Sequence, residues 1–260
     1  MTEGFDADLI GCADIVRRGD TPRFQAAMAA PVAARRVLFA IYAFNVEVAR
    51  APWVTQEPMI AEMRLQWWAD ALEEIRAGGT VRRHEVVTPL ARVLDAEGAA
   101  LLSDLVAARR WDIGREPFAD EADFTRYIEA TSGNLIRVAA RALGPADEGV
   151  LRDAGFALGL ANWLRAIPAL EAAGRRPLSD GRPEAVVALA REGLRRLALA
   201  RGRRAEVSPA AAPALLPLWE AGPVLRAATR RPTAVAEGTL DLVPARSRLM
   251  LMLRTMSGRW

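Results

Sequence analysis

The sequence contains no lysine: all 35 basic residues are arginine. That absence excludes Schiff-base chemistry, a lysine general base and a phosphate-loop lysine. A GC-rich genome is the ordinary reason for such usage. There is one cysteine, Cys12, and one histidine, His84. An internal disulfide is therefore impossible and a Cys/His zinc site is excluded. A Ser-His-Asp triad would have to use His84, but the surrounding Arg-Arg-His-Glu-Val-Val reads as a surface loop entering a helix. Cys12 sits on the apolar side of a short amphipathic segment and reads as inert core. Two tyrosines stand beside seven Trp and seven Phe, so the aromatic core has few phenol groups. No stretch approaches 18 apolar residues, so no transmembrane helix is expected. The first residues carry early acids and no charged-then-apolar leader. The expected location is the cytoplasm of a bacterium-like cell.

What is present is a globular composition. Of 260 residues, 52% are hydrophobic and 26% charged, which suits a chain that buries a core without staples. About a fifth are alanine, which favours helix. The net charge is only +3. A nucleic-acid binder concentrates its excess charge in a patch, so no nucleic-acid partner is expected.

The periodicity is helical almost throughout. Residues 5–18 read as a short helix ending at Gly19. Pro31 fits the first turn of a long helix to about Ala51, closed by Pro52. A second long helix runs from about Pro58 to Gly78-Gly79, followed by shorter ones over 87–95 and 98–112. Asp120 begins another, with Ser132-Gly133-Asn134 as a weak point where a kink is expected. Residues 147–173 form the next, which Pro168 should bend or end. A helix over 183–204 has a basic face made by Arg191, Arg195, Arg196, Arg201, Arg203 and Arg204. Residues 208–229 are broken by prolines, and 244–256 finish the chain. Alternating strand patterns are nearly absent. The reading is one all-α domain over 1–260.

Some residues could carry chemistry. Asp70 with Glu74, and Glu116 with Asp120, are carboxylates at i,i+4 that could share a cation, although solvated charge is the simpler reading. Gln66-Trp67-Trp68 lies inside one helix and Asn162-Trp163 inside another, as core or as the lining of an apolar groove. Asn45 and Glu47 interrupt the apolar run VLFAIYAFNVEVA, and Asn162 and Arg165 interrupt LGLANWLRAI. Polar groups in such surroundings need partners or a wet cavity.

These polar positions are where the chain resembles the squalene/phytoene synthases. The segment FQAAMAAPVAARRVLFAIYAF is similar to the family's opening Phe…Ala…Pro…Arg…Tyr-Ala-Phe stretch. Tyr127 with Ser132-Gly133 is similar to its Tyr…Ala-Gly motif. GFALGLANWLRAIPALEAAGRRPL resembles its second signature. The resemblance implies an isoprenoid-synthase-like helical bundle around a central cavity. The residues it implies for that cavity are Arg35, Tyr42, Asn45, Glu47 and Gln66, then Trp67, Tyr127, Asn134, Asn162 and Arg165.

In the family, two Asp-x-x-x-Asp motifs hold Mg²⁺ ions that grip the substrate diphosphate. Registered on Tyr-Ala-Phe and on Asn162-x-Leu164-Arg165, those positions fall at Ala49 and Trp53, and at Ala166 and Leu170. All four carboxylates are missing. Glu47 and Glu171 lie at the wrong helical phase to replace them. Arg35 and Arg165 remain as anion-binding groups, yet ionisation without a metal clamp loses most of its electrostatic stabilisation. AFNVEVAR followed by EPMIAEMRLQWWADAL is similar to a degenerate branch of the family. That branch comprises complex I assembly factors with this fold and their bacterial homologues, which keep Asn-x-Glu and Gln-Trp. The resemblance implies a non-catalytic protein that takes no metal or cofactor and acts with respiratory complex I subunits or assembly factors, or binds a lipid-like ligand. The alternatives are an isoprenyl transferase with displaced Mg²⁺ ligands, using Asp70, Glu74, Glu116 and Asp120, and a lipid carrier held to the membrane surface by the 183–204 helix.

Overall fold

Long apolar faces with few β-branched alternations fold here into helices that bury one another's stripes. The computed structural model describes residues 6–260. Its elements are α1 (Ala7–Gly19), α2 (Thr21–Ala29), α3 (Val32–Arg50), α4 (Pro58–Arg76), α5 (Val87–Ala91), α6 (Ala96–Arg109), α7 (Glu121–Ile128) and α8 (Asn134–Leu143). They continue with α9 (Glu148–Ala172), α10 (Pro183–Gly202), α11 (Ala221–Arg230), α12 (Thr233–Ala236) and α13 (Pro244–Met256). Among the described residues there is no strand, only an isolated bridge between Ala146 and Val207. Residue 5, where the sequence places the first helix start, lies outside the described residues.

Capping explains most boundaries. Asp6, Asp20, Asp95, Asp120 and Asp147 each accept a hydrogen bond from a first-turn N–H of the helix that follows. Prolines open α4, α10 and α13, where a missing N–H costs nothing. α9 is the central helix, buried nearly all round, with α8 and α10 packed against it. α8 also touches α3, while α4 packs on α6 at one side and α11 on α10 at the other.

Three local outcomes refine the sequence reading. Residues 21–29 form α2, which Asp20 caps through Arg23 N–H. α9 passes through Pro168 to Ala172 and does not end there. The lost hydrogen bond is offset because Ile167 and Leu170 on either side are buried. The weak point at Ser132-Gly133 is a five-residue π-helical turn, Glu129–Gly133, joining α7 to α8.

His84 sits just before α5, its ring beside Trp67 and Trp68, and its carbonyl accepts from Thr88 N–H. Cys12 is fully buried and donates to the Glu85 carbonyl. Burial, then the nearby Glu85, pushes its thiol up to about 12. Half of the basic face over 183–204 is engaged: Arg195 pairs with Glu192, Arg196 with Glu192 and Glu129, and Arg203 with Asp147 and Glu206. No helix of the described residues is long and apolar enough to cross a membrane.

Candidate functional site

A cavity of about 560 Å³ lies between the C-terminal half of α3, the α7–π-turn junction, α9 and the segment 217–224. Helical spacing builds its walls. α3 contributes Asn45 and Ala49 at i,i+4, and Trp53 follows from the turn after it. α9 contributes one face: Asn162, Ala166, Ala169, Leu170 and Ala173, with Arg165 at its edge. The π-turn widens the backbone at one end and brings Tyr127, Thr131 and Ser132 to the wall.

The wall carries three arginines, and each is matched by a carboxylate. Arg23 pairs with Asp20. Arg109 donates to Asp112 at 3.1 Å and to the Tyr127 hydroxyl at 2.7 Å. Tyr127 in turn donates to Asp112 at 2.9 Å. Arg165 donates to Glu220 and to Asp241, both at 2.8 Å. Burial drives the Tyr127 phenol far above its ordinary range. Burial opposes the Arg109 charge, but Tyr127 and Asp112 outweigh it and the guanidinium stays firmly protonated. With Arg23, Arg109 and Arg165 set against Asp20, Asp112 and Glu220, the charged groups lining the cavity sum to zero.

Two polar atoms of wall residues, Ser132 Oγ and Arg109 Nε, are buried without a partner. Against this end stands an aromatic block: Trp111 stacks on Phe118 at 3.9 Å, and Phe124, Tyr127 and Trp163 close around them. Arg175 donates to the Asp112 carbonyl and lies 4.4 Å above the Trp53 ring.

The structure brings Asn45, Tyr127, Asn162 and Arg165 together on this wall, along with Ala49, Trp53, Ala166 and Leu170. The other six expected residues do not line it. Arg35 donates to the Ala30 carbonyl at the start of α3. Tyr42 is buried behind Arg23, 5.7 Å from its guanidinium. Glu47, about 200° round the helix from Asn45, pairs with Arg50. Gln66 bonds Asp70 and Arg110 on the surface of α4. Trp67 packs on Trp68, His84 and Arg82. Asn134 donates to the Leu101 carbonyl and accepts from Arg137. The reason is that α4 packs on α6, away from the cavity, that only one phase of α3 meets it, and that Asn134 of α8 is turned toward α6.

The acids weighed as alternative metal ligands do not converge either. Asp70, Glu116 and Asp120 are exposed, and Glu74 is held by Arg82. Neither Glu47 nor Glu171 is on the cavity wall. Among the described residues no group of three or more His, Cys, Asp or Glu could hold a metal ion. A Mg²⁺ cluster does not fit this donor set, because Asp20, Asp112 and Glu220 each face an arginine. Those three acids, with Arg23 and Arg109, are wall residues the sequence reading missed. The signal for Glu220 was a lone acid beside a tryptophan in an apolar stretch, whereas Asp112 lies among Arg109, Arg110, Arg115 and Glu116 and reads as surface charge.

A helical bundle closed on a central cavity, with these signatures along α3, α7–α8 and α9, defines a class, and a sequence model of squalene/phytoene synthase matches residues 16–257. The chain belongs to the squalene/phytoene synthase family. It is also similar to the Drosophila melanogaster "NADH dehydrogenase (ubiquinone) complex I, assembly factor 6 homolog", 30% identical over 166 residues, covering 60% of this chain and 50% of that protein. The Homo sapiens complex I assembly factor 6 is 25% identical over 162 residues, covering 60% of this chain and 48% of that protein. The chain thus spans about half the length of these relatives. In fold it resembles a dehydrosqualene synthase, with TM-score 0.76 and 14% identity over 96% of this chain and 95% of that one. It also resembles the squalene synthase HpnC of Alicyclobacillus acidocaldarius, with TM-score 0.71 and 17% identity over 86% and 94%.

Proposed function

We propose that this chain is a non-catalytic member of its family that acts in the assembly of respiratory complex I. The observation that carries the reading is the cavity wall. Where the resemblance places four metal-binding carboxylates, the wall has Ala49, Trp53, Ala166 and Leu170, and its remaining charges cancel. A diphosphate carries up to about three negative charges, and its departure builds more, which needs a concentrated positive clamp. Arginines already neutralised by carboxylates are a poor clamp. The similarity to complex I assembly factors supports complex I as the assembly in question. On this reading the protein uses the fold as a scaffold and works without Mg²⁺.

The purified chain is expected to release no diphosphate from farnesyl or geranylgeranyl diphosphate with Mg²⁺, with or without NADPH, beside an active synthase. Membranes of host cells lacking the chain are expected to lose NADH:quinone oxidoreductase activity, with the unassembled subunits still made. Release above background that a chelator abolishes would overturn the non-catalytic part. Normal complex I in the deletion strain would overturn the assembly part.

A second reading is favoured by the unpartnered Ser132 Oγ and Arg109 Nε. A wall that is apolar and charge-balanced, with a few open hydrogen-bonding atoms, suits an uncharged lipid-like ligand with one polar end. Solvent extraction of the purified chain followed by mass spectrometry is expected to return such a molecule in near-stoichiometric amount. Its absence, together with no uptake of added isoprenoid alcohols, would remove this reading.

A further inference from the structure

α13 is anchored by one face and bare on the other. Ser247 and Leu251 are buried, and Ser247 bonds both Trp219 and Glu220. Leu249, Met252, Leu253 and Met256 follow at i, i+3, i+4 and i+7, and are 57%, 60%, 57% and 82% exposed. Val243, just before the helix, is also exposed. Four large apolar side chains on one helical stripe exceed the scattered exposure of an ordinary surface.

The charge around the stripe has one sign. Residues 242–260 contain four arginines, Arg246, Arg248, Arg254 and Arg259, and no acid. By helical phase, Arg246 falls about 70° to one side of the stripe and Arg248 about 90° to the other. Arg246, Arg248 and Arg259 are exposed and have no ion pair among the described residues. Further arginines gather beside the helix. Arg201 and Arg254 both donate to the Trp260 carbonyl, and the Arg201 and Arg226 guanidinium groups both border Gly222. Arg204 lies 5.5 Å from the Trp260 ring with its Nε buried and unpartnered. Burial, then the like charges of Arg254, Arg204 and Arg226, brings Arg201 down to about 10. The rim of α13 is thus an uncompensated positive field.

We infer that α13 docks on an anionic lipid surface, its axis in the membrane plane, its Leu/Met stripe at the acyl boundary and Arg246 and Arg248 among the headgroup phosphates. An amphipathic helix with a basic rim binds this way. A second copy of the chain fits the face less well, because two-fold pairing would set one set of arginines against another. The stripe, Leu249, Met252, Leu253 and Met256, also has no aromatic anchor of the kind enriched at protein interfaces. The inference is separate from complex I assembly and centres on α13, beside which Arg201 and Arg204 of the 183–204 basic face lie without an acidic partner.

The test is flotation of the full chain with vesicles of phosphatidylcholine, with and without about 30% phosphatidylglycerol. Binding to the anionic vesicles is expected to exceed binding to neutral ones at least tenfold, and to collapse in about 1 M NaCl, where the Debye length is about 3 Å. The double variant R246Q/R248Q is expected to lower the anionic partition coefficient by about 25-fold, roughly fivefold per arginine. L249S/L253S is expected to lower it at least tenfold. These four positions are exposed, so both variants should keep the parent's circular dichroism and melting temperature. As a local reporter, Met256→Cys can be dye-labelled selectively, because Cys12 is buried, and its emission should shift to the blue on anionic vesicles. Equal binding to both vesicle types, no binding to either, or variants that bind like the parent would overturn the inference. A solution dimer that L249S/L253S splits would overturn it in favour of a second copy as the occupant.

Discussion

Asp112→Ala is expected to destabilise the protein by about 3–5 kcal/mol, more than any other single change at the cavity. The Asp112 side chain is 3% exposed and its partner Arg109 is 20% exposed. Removing the carboxylate leaves a guanidinium in the interior with only the Tyr127 oxygen to face, while Tyr127 loses its acceptor. Arg109 Nε already lacks a partner, so the pocket has no spare acceptor to offer. The size of the effect comes from this stranded charge and not from the strength of the pair. Three variants separate those causes. Asp112→Asn keeps one acceptor and should cost about half as much. Arg109→Leu with Asp112→Leu removes both charges and should recover most of the loss, because apolar replacement of a buried pair is often neutral. Urea unfolding midpoints measure all three. A double variant as unstable as Asp112→Ala would show that the loss comes from the missing side chains themselves and not from a stranded charge.

The fold was legible because its main determinants are local. Prolines mark helix starts at α4, α10 and α13, aspartates cap five others, and apolar stripes give the length of α3 and α9. α2 escaped because its apolar residues are mostly alanine, which gives a weak periodic signal, although Asp20-Thr21-Pro22 is a helix start in plain form. The helix read over 147–173 stands as α9 with Pro168 inside it, because burial along its length outweighs the local cost of the proline. At the site, registering the chain on the family's motifs picked out Ala49, Trp53, Ala166 and Leu170, and these line the cavity with Asn45 and Asn162. Gln66 and Trp67 were grouped with them by motif likeness, but α4 packs against α6, and no periodicity within α4 reports that. The matching of Arg23, Arg109 and Arg165 with acids was also hidden. Arg109 and Asp112 are three residues apart, but Arg165 and Glu220 are brought together only by tertiary packing.

Gly155→Ala is the second large effect, with an expected net loss of about 2 kcal/mol. Helix propensity alone predicts the opposite, since alanine in a helix interior is worth up to about 1 kcal/mol over glycine. Geometry decides against it. A Cβ at position 155 would stand 2.5 Å from the Gly133 Cα and 3.2 Å from its nitrogen. The obstacle is backbone, which cannot rotate aside, so α9 and the π-turn must separate by about an ångström, at the upper end of the overpacking range of about 1–3 kcal/mol. Gly193 is the control on another face of the bundle. A Cβ there meets only the methyl ends of Leu160 and Leu225, at 2.8 and 3.0 Å, which can turn away. Gly193→Ala should therefore stay within about 1 kcal/mol of the parent, the propensity gain offsetting the adjustment. The two variants also differ at the cavity. Displacing the π-turn moves Ser132, Thr131 and Tyr127 on its wall, so Gly155→Ala should weaken retention of any cavity ligand as well as stability, whereas Gly193→Ala should leave retention unchanged. Equal stabilities for the two variants would mean that the helix and turn yield freely at Gly133. The cavity would then be a deformable space between helices and not a wall fixed by the contact of two glycines.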